Sequence, residues 1–182
     1  MKIGKIKNKK GLFAGKRGFS LLEAILSVFI VSVGLVAVMS LLTASIKETL
    51  GSRSQQVASL LAQEGVELVR NIRDNNWARQ LDDSFNGIDA ANNCTIAYNS
   101  TLSCSGDYKL SRNTSGYYVH NSNLPDTRFS RKIIISGGAN VRRIISMVVW
   151  DRDDFPGSVD GCTTKNKCSY AEITLTKWGG ND

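Results

Sequence analysis

The spacing of apolar residues differs between parts of the chain. Near the N-terminus, apolar residues are nearly continuous over one uncharged segment. From Ala24 to Ile46 there are 23 residues without a charge, and most of them are apolar. An α-helix of that length is about 35 Å long, enough to cross the hydrocarbon core of a bilayer. The pattern therefore predicts a membrane-spanning helix near the N-terminus.

Beyond Lys47 the apolar residues are confined to one face of the predicted helix. Polar residues fill much of the remaining surface, and the members of this apolar stripe recur at three-, four- and seven-residue steps: Val57, Leu60, Leu61, Leu68, Val69 and Ile72. This spacing is typical of an amphipathic helix with one face to bury. The turn-forming run Asp74-Asn75-Asn76 predicts its end. We therefore expect one helix of roughly 55 residues, from 19 to about 74, about 80 Å long.

The rest of the chain predicts a β-sheet. Residues 78–128 are rich in Asn, Ser, Asp and Thr, with short strand-like pieces at Thr95–Tyr98 and Tyr117–His120. Two β-rich runs, Phe129–Ser136 and Arg143–Trp150, flank Gly137-Gly138-Ala139-Asn140, which is a good hairpin signal.

Alternation of apolar and polar residues over 171–176 predicts a last strand. Three or four antiparallel strands laid across the C-terminal half of the helix would form one core, which is an α+β fold. In that core, the apolar residues expected to face the helix are Ile145, Met147, Val149, Ile173 and Leu175.

Charge is concentrated at the N-terminus. The formal net charge is +7, but seven of the 23 basic residues lie in the first 18, which leaves 16 basic and 16 acidic residues after them. The rest of the chain is therefore formally neutral and does not favour a nucleic-acid partner, although a local basic patch at Arg128–Lys132 and Arg142-Arg143 is a possible exception. A basic block before an apolar helix predicts that the block is cytoplasmic and that residues 47–182 lie outside.

The junction between the basic block and the apolar helix reads Gly18-Phe19-Ser20-Leu21-Leu22-Glu23. A secretory signal has a shorter apolar core that is followed by a small-residue cleavage site. Here the small residue at the junction, Gly18, precedes the apolar segment. Cleavage after Gly18 would remove the leader and leave the helix on the mature protein.

This hexapeptide resembles the processing signal of the type IV prepilins, the family of type IV pilins, minor pilins and secretion-system pseudopilins. The run from Ser32 to Val38, and the lack of proline in the first half of the helix, are similar to the PilV-type branch. The resemblance covers residues 16–75. It implies a type IV pilin-like fold with a leader at 1–18, a transmembrane or filament-core helix at 19–46 and an extracellular head at 47–182.

The resemblance also implies a function and its partners. A prepilin peptidase would cut after Gly18 and methylate the new Phe19 amine, and an assembly platform in the inner membrane would pass the subunit from the lipid into a helical surface filament. The resemblance implies a structural subunit of the minor-pilin kind, with no catalytic residues and no cofactor. The alternatives are a pseudopilin of a type II secretion system, or a filament-tip adhesion module that binds through loops 78–128 and 151–168.

Glu23 is a carboxylate at the start of an apolar helix, where charge is costly and usually has a function. After cleavage, Phe19 would carry a free ammonium one helical turn away, roughly 6 Å along the axis. Glu23 could pair with that amine in its own subunit or in a neighbouring one, and the resemblance implies the second arrangement in filament assembly. The alternative is a carboxylate that reaches the lipid headgroups.

The four cysteines form two local pairs, Cys94 with Cys104 and Cys162 with Cys168. A head outside the membrane lies where disulfides persist, and local pairing needs the least rearrangement of the chain. A zinc site is the competing interpretation, but its ligand pairs usually have two to four residues between them. Free thiols are the third possibility.

Other candidate sites have weaker patterns. Four acidic residues surround the Phe155-Pro156-Gly157 turn and are candidate calcium ligands: Asp151, Asp153, Asp154 and Asp160. Their spacing does not fit an EF-hand, so a solvated turn is the alternative. The one histidine, His120, has no serine, cysteine or aspartate in a recognisable catalytic motif with it, and an anchored enzyme has no motif to support it.

Overall fold

The computed structural model describes residues 20–81, 83–104 and 107–177, and the chain divides into two units after Lys47. A single helix, α1 (Leu21–Ala78), supplies the described part of the first unit and the beginning of the second. An antiparallel sheet follows it in the second unit. The α+β prediction is confirmed at this level, and the helix ends four residues later than expected.

The first unit consists, in its described part, of the apolar end of α1. The large hydrophobic side chains from Leu21 to Ile46 are each more than half exposed. This end is long and apolar enough to cross a membrane, by length and composition. Its exposed apolar surface needs a cover of lipid or of other helices, because water hydrates such a surface at a high cost in free energy.

The sheet has six strands, where three or four were expected. They are β1 (Ala91–Cys94), β2 (Lys109–Arg112), β3 (Tyr118–Val119), β4 (Asp126–Gly137), β5 (Val141–Trp150) and β6 (Cys168–Thr176). Their order is β3-β2-β4-β5-β6, and β1 pairs with β4 on the same side as β2. All pairs are antiparallel.

The short strands account for the difference in number. β3 falls inside the predicted piece at 117–120, but β1 precedes the predicted piece at 95–98, and β2 was not predicted. The sequence of β2, Lys-Leu-Ser-Arg, has one apolar residue, so its pairing with β4 rather than an alternating pattern defines it as a strand.

The β4–β5 hairpin lies where the sequence predicted it. Gly137 opposes Arg142 in the register and has a φ of +121°, a backbone conformation that residues with a side chain rarely adopt. A Cβ added at Gly137 would meet the carbonyl oxygen of Val141 at 2.3 Å. This position therefore requires glycine for both reasons.

The helix and the sheet share two buried clusters. One joins Val66 and Val69 to Ile133, Ile144 and Leu175. The second joins α1 to β2, β4 and β5, with these buried members: Ala58, Leu61, Ala62, Leu110, Phe129, Val148 and Trp150. Small residues therefore form much of the helix face that contacts the sheet.

The predicted helix stripe is partly correct. Leu61 and Val69 are buried, and Val57, Leu68 and Ile72 are partly buried. Leu60 is 65% exposed, so including it was wrong. The reason is that the buried face is centred on small residues such as Ala58 and Ala62. A search for regularly spaced large apolar residues overlooks these positions.

The face assigned to β5 was wrong, although Ile173 and Leu175 do pack in the cluster with the helix. Ile145, Met147 and Val149 lie on the opposite face, where they pack with Cys162 and Cys168. The residues of β5 that face the helix are Ile144, Ser146, Val148 and Trp150. Both faces of β5 are buried, because the loop before β6 covers the outer one, so alternation could not identify the inner face.

A polar layer separates the two clusters. Arg131 of β4 is 0% exposed, and its guanidinium donates to the carbonyl oxygen of Leu61 at 3.1 Å and to that of Ile96. Glu64 lies 3.5 Å from the same guanidinium. Burial lowers the pKa of Arg131, and the nearby Glu64 carboxylate partly offsets that effect. The layer ties α1, β4 and the segment after β1 together.

Candidate functional site

The first turn of α1 carries the candidate assembly residue. Glu23 is exposed, and its backbone carbonyl accepts a hydrogen bond from the Ser27 hydroxyl at 2.7 Å. No ion pair joins Glu23 to a cation within the described ranges. A helix N-terminus favours a carboxylate through its partial positive charge. The predicted processing residues, Gly18 and Phe19, lie outside the described residues.

The apolar part of α1 satisfies its hydroxyl groups within the helix. Ser32 donates to the carbonyl of Phe29 at 2.8 Å, and Thr43 donates to that of Met39 at 2.9 Å, as Ser27 does to Glu23. Such internal bonds avoid the cost of an unpaired polar group in an apolar medium. This surface can therefore be covered by hydrocarbon or by other apolar helices.

Both local cysteine pairs lie at disulfide distance. The sulfurs are 2.01 Å apart in Cys94–Cys104 and 1.96 Å apart in Cys162–Cys168. The first pair closes a loop at the end of β1, and the second closes the loop that precedes β6 and covers the outer face of β5. Each bridge therefore fixes a loop of the head to the sheet.

The acidic residues proposed as calcium candidates lie next to basic side chains instead of around a shared point. Asp151 receives two hydrogen bonds from Arg128, each of 2.8 Å, while Asp153 pairs with Lys109 and Asp154 with Arg152. Asp160 lies in a short 3₁₀ turn, Val159–Gly161. Within the described residues, no three acidic, histidine or cysteine side chains are arranged to hold a metal ion.

The pKa of Asp151 depends on two opposing effects, burial and the basic side chains beside it. Partial burial raises it, but the hydrogen bonds and charge of Arg128 and the charge of Lys167 outweigh burial and lower it overall. Arg128 also donates to the Ser54 hydroxyl at 3.1 Å. The Arg128–Asp151 pair therefore links the helix, β4 and the end of β5.

Three of the four arginines in the possible basic patch are paired with a carboxylate. Arg131 is buried, Arg128 pairs with Asp151, and Arg143 donates two hydrogen bonds to the Glu172 carboxylate. Arg142 donates to the carbonyl of Ile88 at 3.1 Å. The carboxylate partners lower the positive charge that this patch would offer to a phosphate.

His120 lies in a partly open cleft of about 230 Å³. Its Nδ1 is 2.9 Å from the carbonyl oxygen of Lys109, and its buried Nε2 has no partner among the described residues. Burial, followed by the charge of Arg131, lowers the pKa of His120 below its usual 6.5. Because a carbonyl oxygen can only accept, the contact with Lys109 requires a proton on Nδ1.

Two features of the head were missed by the sequence analysis. Arg131 occupies a helix-facing position of β4 between Phe129 and Ile133, and that alternation would have indicated it. Tyr98 and Tyr117 come together from separate loops, with ring centroids 4.9 Å apart. Each tyrosine lies in a piece that was predicted as strand-like, but nothing in the sequence indicates that the two pieces meet.

Comparison of the chain with protein-family models, with curated proteins and with solved structures found no match.

Proposed function

We propose that this chain is a structural subunit of a type IV pilus-like filament, of the PilV-type minor-pilin kind. The observation that carries the proposal is the sequence Gly18-Phe19-Ser20-Leu21-Leu22-Glu23, whose last three residues are the first three of α1. Prepilin peptidase cuts after Gly18, and the mature N-terminus becomes a charged amine followed by an apolar helix.

The surface of α1 supports this proposal. From Leu21 to Ile46 the large hydrophobic side chains are exposed, and from Ala58 onward the same helix belongs to the core of the head. In the membrane, lipid covers the exposed part. In the filament, the same part of neighbouring subunits covers it, so assembly replaces one apolar environment with another.

Glu23 gives this assembly its register. The partner of the Glu23 carboxylate is the ammonium of Phe19 in an adjacent subunit. The two groups pair when the subunit moves from the membrane into the filament and both charges leave the lipid headgroups. Association of apolar helices alone is weakly directional, because lipid and helix surfaces are similarly apolar. A buried ion pair adds specificity by penalising every register in which either charge is unpaired.

A pseudopilin of a type II secretion system has the same helix and the same processing signal, and it is the second candidate within this proposal. The head is extracytoplasmic in both cases, as the basic residues before the helix indicate. The two disulfide-distance cysteine pairs agree with that location.

The experiment compares Glu23→Ala, Glu23→Asp and wild type for the amount of this protein in sheared filaments, relative to the total in membranes. We expect normal cleavage and membrane insertion for Glu23→Ala, but at least about tenfold less incorporation, since the amine loses its partner. Glu23→Asp recovers only part of it, because its side chain is one methylene shorter. Glu48→Ala, which removes an exposed carboxylate just beyond the apolar segment, is the matched control and incorporates normally. Equal incorporation of wild type and Glu23→Ala would contradict the assembly role.

A further inference from the structure

Two tyrosines of the head form an exposed aromatic surface. Tyr98 is 49% exposed and Tyr117 is 58% exposed, so neither ring is needed to fill the core. Their ring centroids are 4.9 Å apart and their planes are inclined by 45°. Tyr98 follows β1, and Tyr117 immediately precedes β3.

The loop that carries Tyr98 is closed at its base. The Cys94–Cys104 bridge joins its two ends, and Thr95 and Ser103 exchange backbone hydrogen bonds of 2.7 and 3.0 Å just inside it. At the tip, the Ser100 hydroxyl accepts a bond from the backbone N–H of Ala97 at 3.0 Å. Tyr98 is therefore presented by a short loop with little freedom to rearrange.

Asn113 joins this loop to the one that carries Tyr117. Its side-chain amide nitrogen donates to the Tyr98 hydroxyl at 2.9 Å, and its side-chain oxygen accepts from the backbone N–H of Tyr117 at 2.9 Å. The backbone N–H of Asn113 also donates to the carbonyl of Tyr117 at 3.0 Å. These bonds hold the Tyr98 hydroxyl and the backbone of Tyr117, and the Tyr117 ring packs against that of Tyr98. Such ordering before a ligand arrives lowers the entropy cost of binding.

The two segments that carry the rings are polar but nearly uncharged. Segments 97–101 and 111–117 contain no acidic residue, and their one basic residue, Arg112, donates to the carbonyl of Gly116 at 3.1 Å. The other polar side chains of these two segments are hydroxyls and amides: Asn99, Ser100, Thr101, Ser111, Asn113, Thr114 and Ser115. Aromatic faces with hydroxyl and amide groups around them match the two kinds of surface on a sugar, since a pyranose has an apolar C–H face and a rim of hydroxyls.

We propose that Tyr98 and Tyr117 form a binding platform for pyranose saccharides, and that β-linked chains of glucose or N-acetylglucosamine are the ligands it fits. In these sugars the substituents are equatorial, so both ring faces present C–H groups that can stack on tyrosine. A single arginine provides too little charge for a nucleic acid. The surface area that two half-exposed rings present is also far smaller than the roughly 800 Å² that each partner buries in a typical protein–protein interface. The platform does not depend on incorporation into a filament.

The test is a calorimetric titration of the full-length protein, in a detergent without a sugar headgroup, with cellohexaose and chitohexaose as probes. We expect saturable binding of at least one probe and a loss of about tenfold in affinity for Tyr117→Ala and for Tyr98→Ala. Tyr117→Phe keeps the ring and should recover most of the affinity that Tyr117→Ala loses. Tyr170→Ala is the matched control, because Tyr170 is 44% exposed on β6 and lies outside the platform.

Three outcomes would overturn this assignment. The first is no binding of either hexasaccharide by wild type, and the second is equal affinity of wild type and the two alanine variants. The third is tighter, platform-dependent binding of a single-stranded oligothymidylate, which would assign the rings to nucleic-acid bases instead. Equal thermal unfolding midpoints for the variants and wild type show that the head is intact. Filament incorporation is a separate measurement, so failure of the platform leaves the proposed function standing.

Discussion

Gly65, Ser146 and Arg131 determine how closely α1 approaches the sheet. A Cβ added at Gly65 would lie 2.3 Å from the Ser146 hydroxyl oxygen and 3.1 Å from Cδ of Arg131. The Ser146 hydroxyl is buried and has no hydrogen-bond partner in the described part of the chain. Glycine at this point of the helix costs about 1 kcal/mol relative to alanine. Glycine at position 65 therefore allows the close contact between α1 and the sheet but makes the helix itself less stable.

We predict that Gly65→Ala destabilises the head by about 1–2 kcal/mol, because overpacking outweighs the gain in helix propensity. Gly51→Ala is the matched control, since a Cβ there meets nothing within 4 Å, and it should stabilise the helix by up to about 1 kcal/mol. The measurement is the free energy of unfolding of the full-length protein in detergent, followed by tryptophan fluorescence. In a Ser146→Gly background the cost of Gly65→Ala should shrink. An unchanged cost would show that Ser146 is not the obstacle.

His120 makes stability depend on pH. Its pKa in the folded head is below the usual 6.5, so the unfolded chain binds more protons between the two values. Stability should therefore fall as the pH is lowered from 7.5 to 5.5. His120→Gln should reduce this fall, as measured by thermal unfolding at the two pH values. Carboxylates titrate mostly below about pH 4.5 and contribute little in this window. Equal pH dependence of wild type and His120→Gln would contradict the role of the histidine.

At the scale of elements, the hairpin and β6 could be predicted because glycines or alternating residues define them. β1 and β2 could not, since they are short and polar and exist through pairing with β4. The inner face of β5 was missed for a different reason: the Cys162–Cys168 loop buries the outer face as well. In the candidate site, short spacing indicated the cysteine pairs, whereas the Tyr98–Tyr117 contact depends on how two irregular loops fold.

The two cysteine loops should be oxidised in the exported protein. Mass spectrometry of the alkylated but unreduced protein should recover Cys94 linked to Cys104 and Cys162 linked to Cys168. By the loop-entropy estimate each bridge adds roughly 2–3 kcal/mol of stability, so reduction should lower the unfolding midpoint. Stoichiometric zinc, with four alkylatable thiols after its removal, would reject the disulfides.

At the scale of the whole molecule, one helix has two parts with different surfaces. From Ala24 to Ile46 α1 is uncharged and its large apolar side chains are exposed on all sides, and from Ala58 onward one face belongs to the core of the head. The sequence could predict this division because the period of the apolar residues changes after Lys47. Alternation along β4 could have placed Arg131 on the inner face. Its partners, the carbonyl oxygens of Leu61 and Ile96, could not be predicted, because they lie far from it in the sequence.

The most direct test of the pilin assignment is the N-terminal sequence of the protein after co-expression with a prepilin peptidase. Our account predicts that the chain loses 18 residues and begins at Phe19, because Gly18 is the small residue between the basic leader and the apolar helix. Gly18→Val should block cleavage by crowding the scissile bond, while membrane insertion remains. A mature chain that begins at any other residue, or one that the peptidase leaves uncut, would contradict the account.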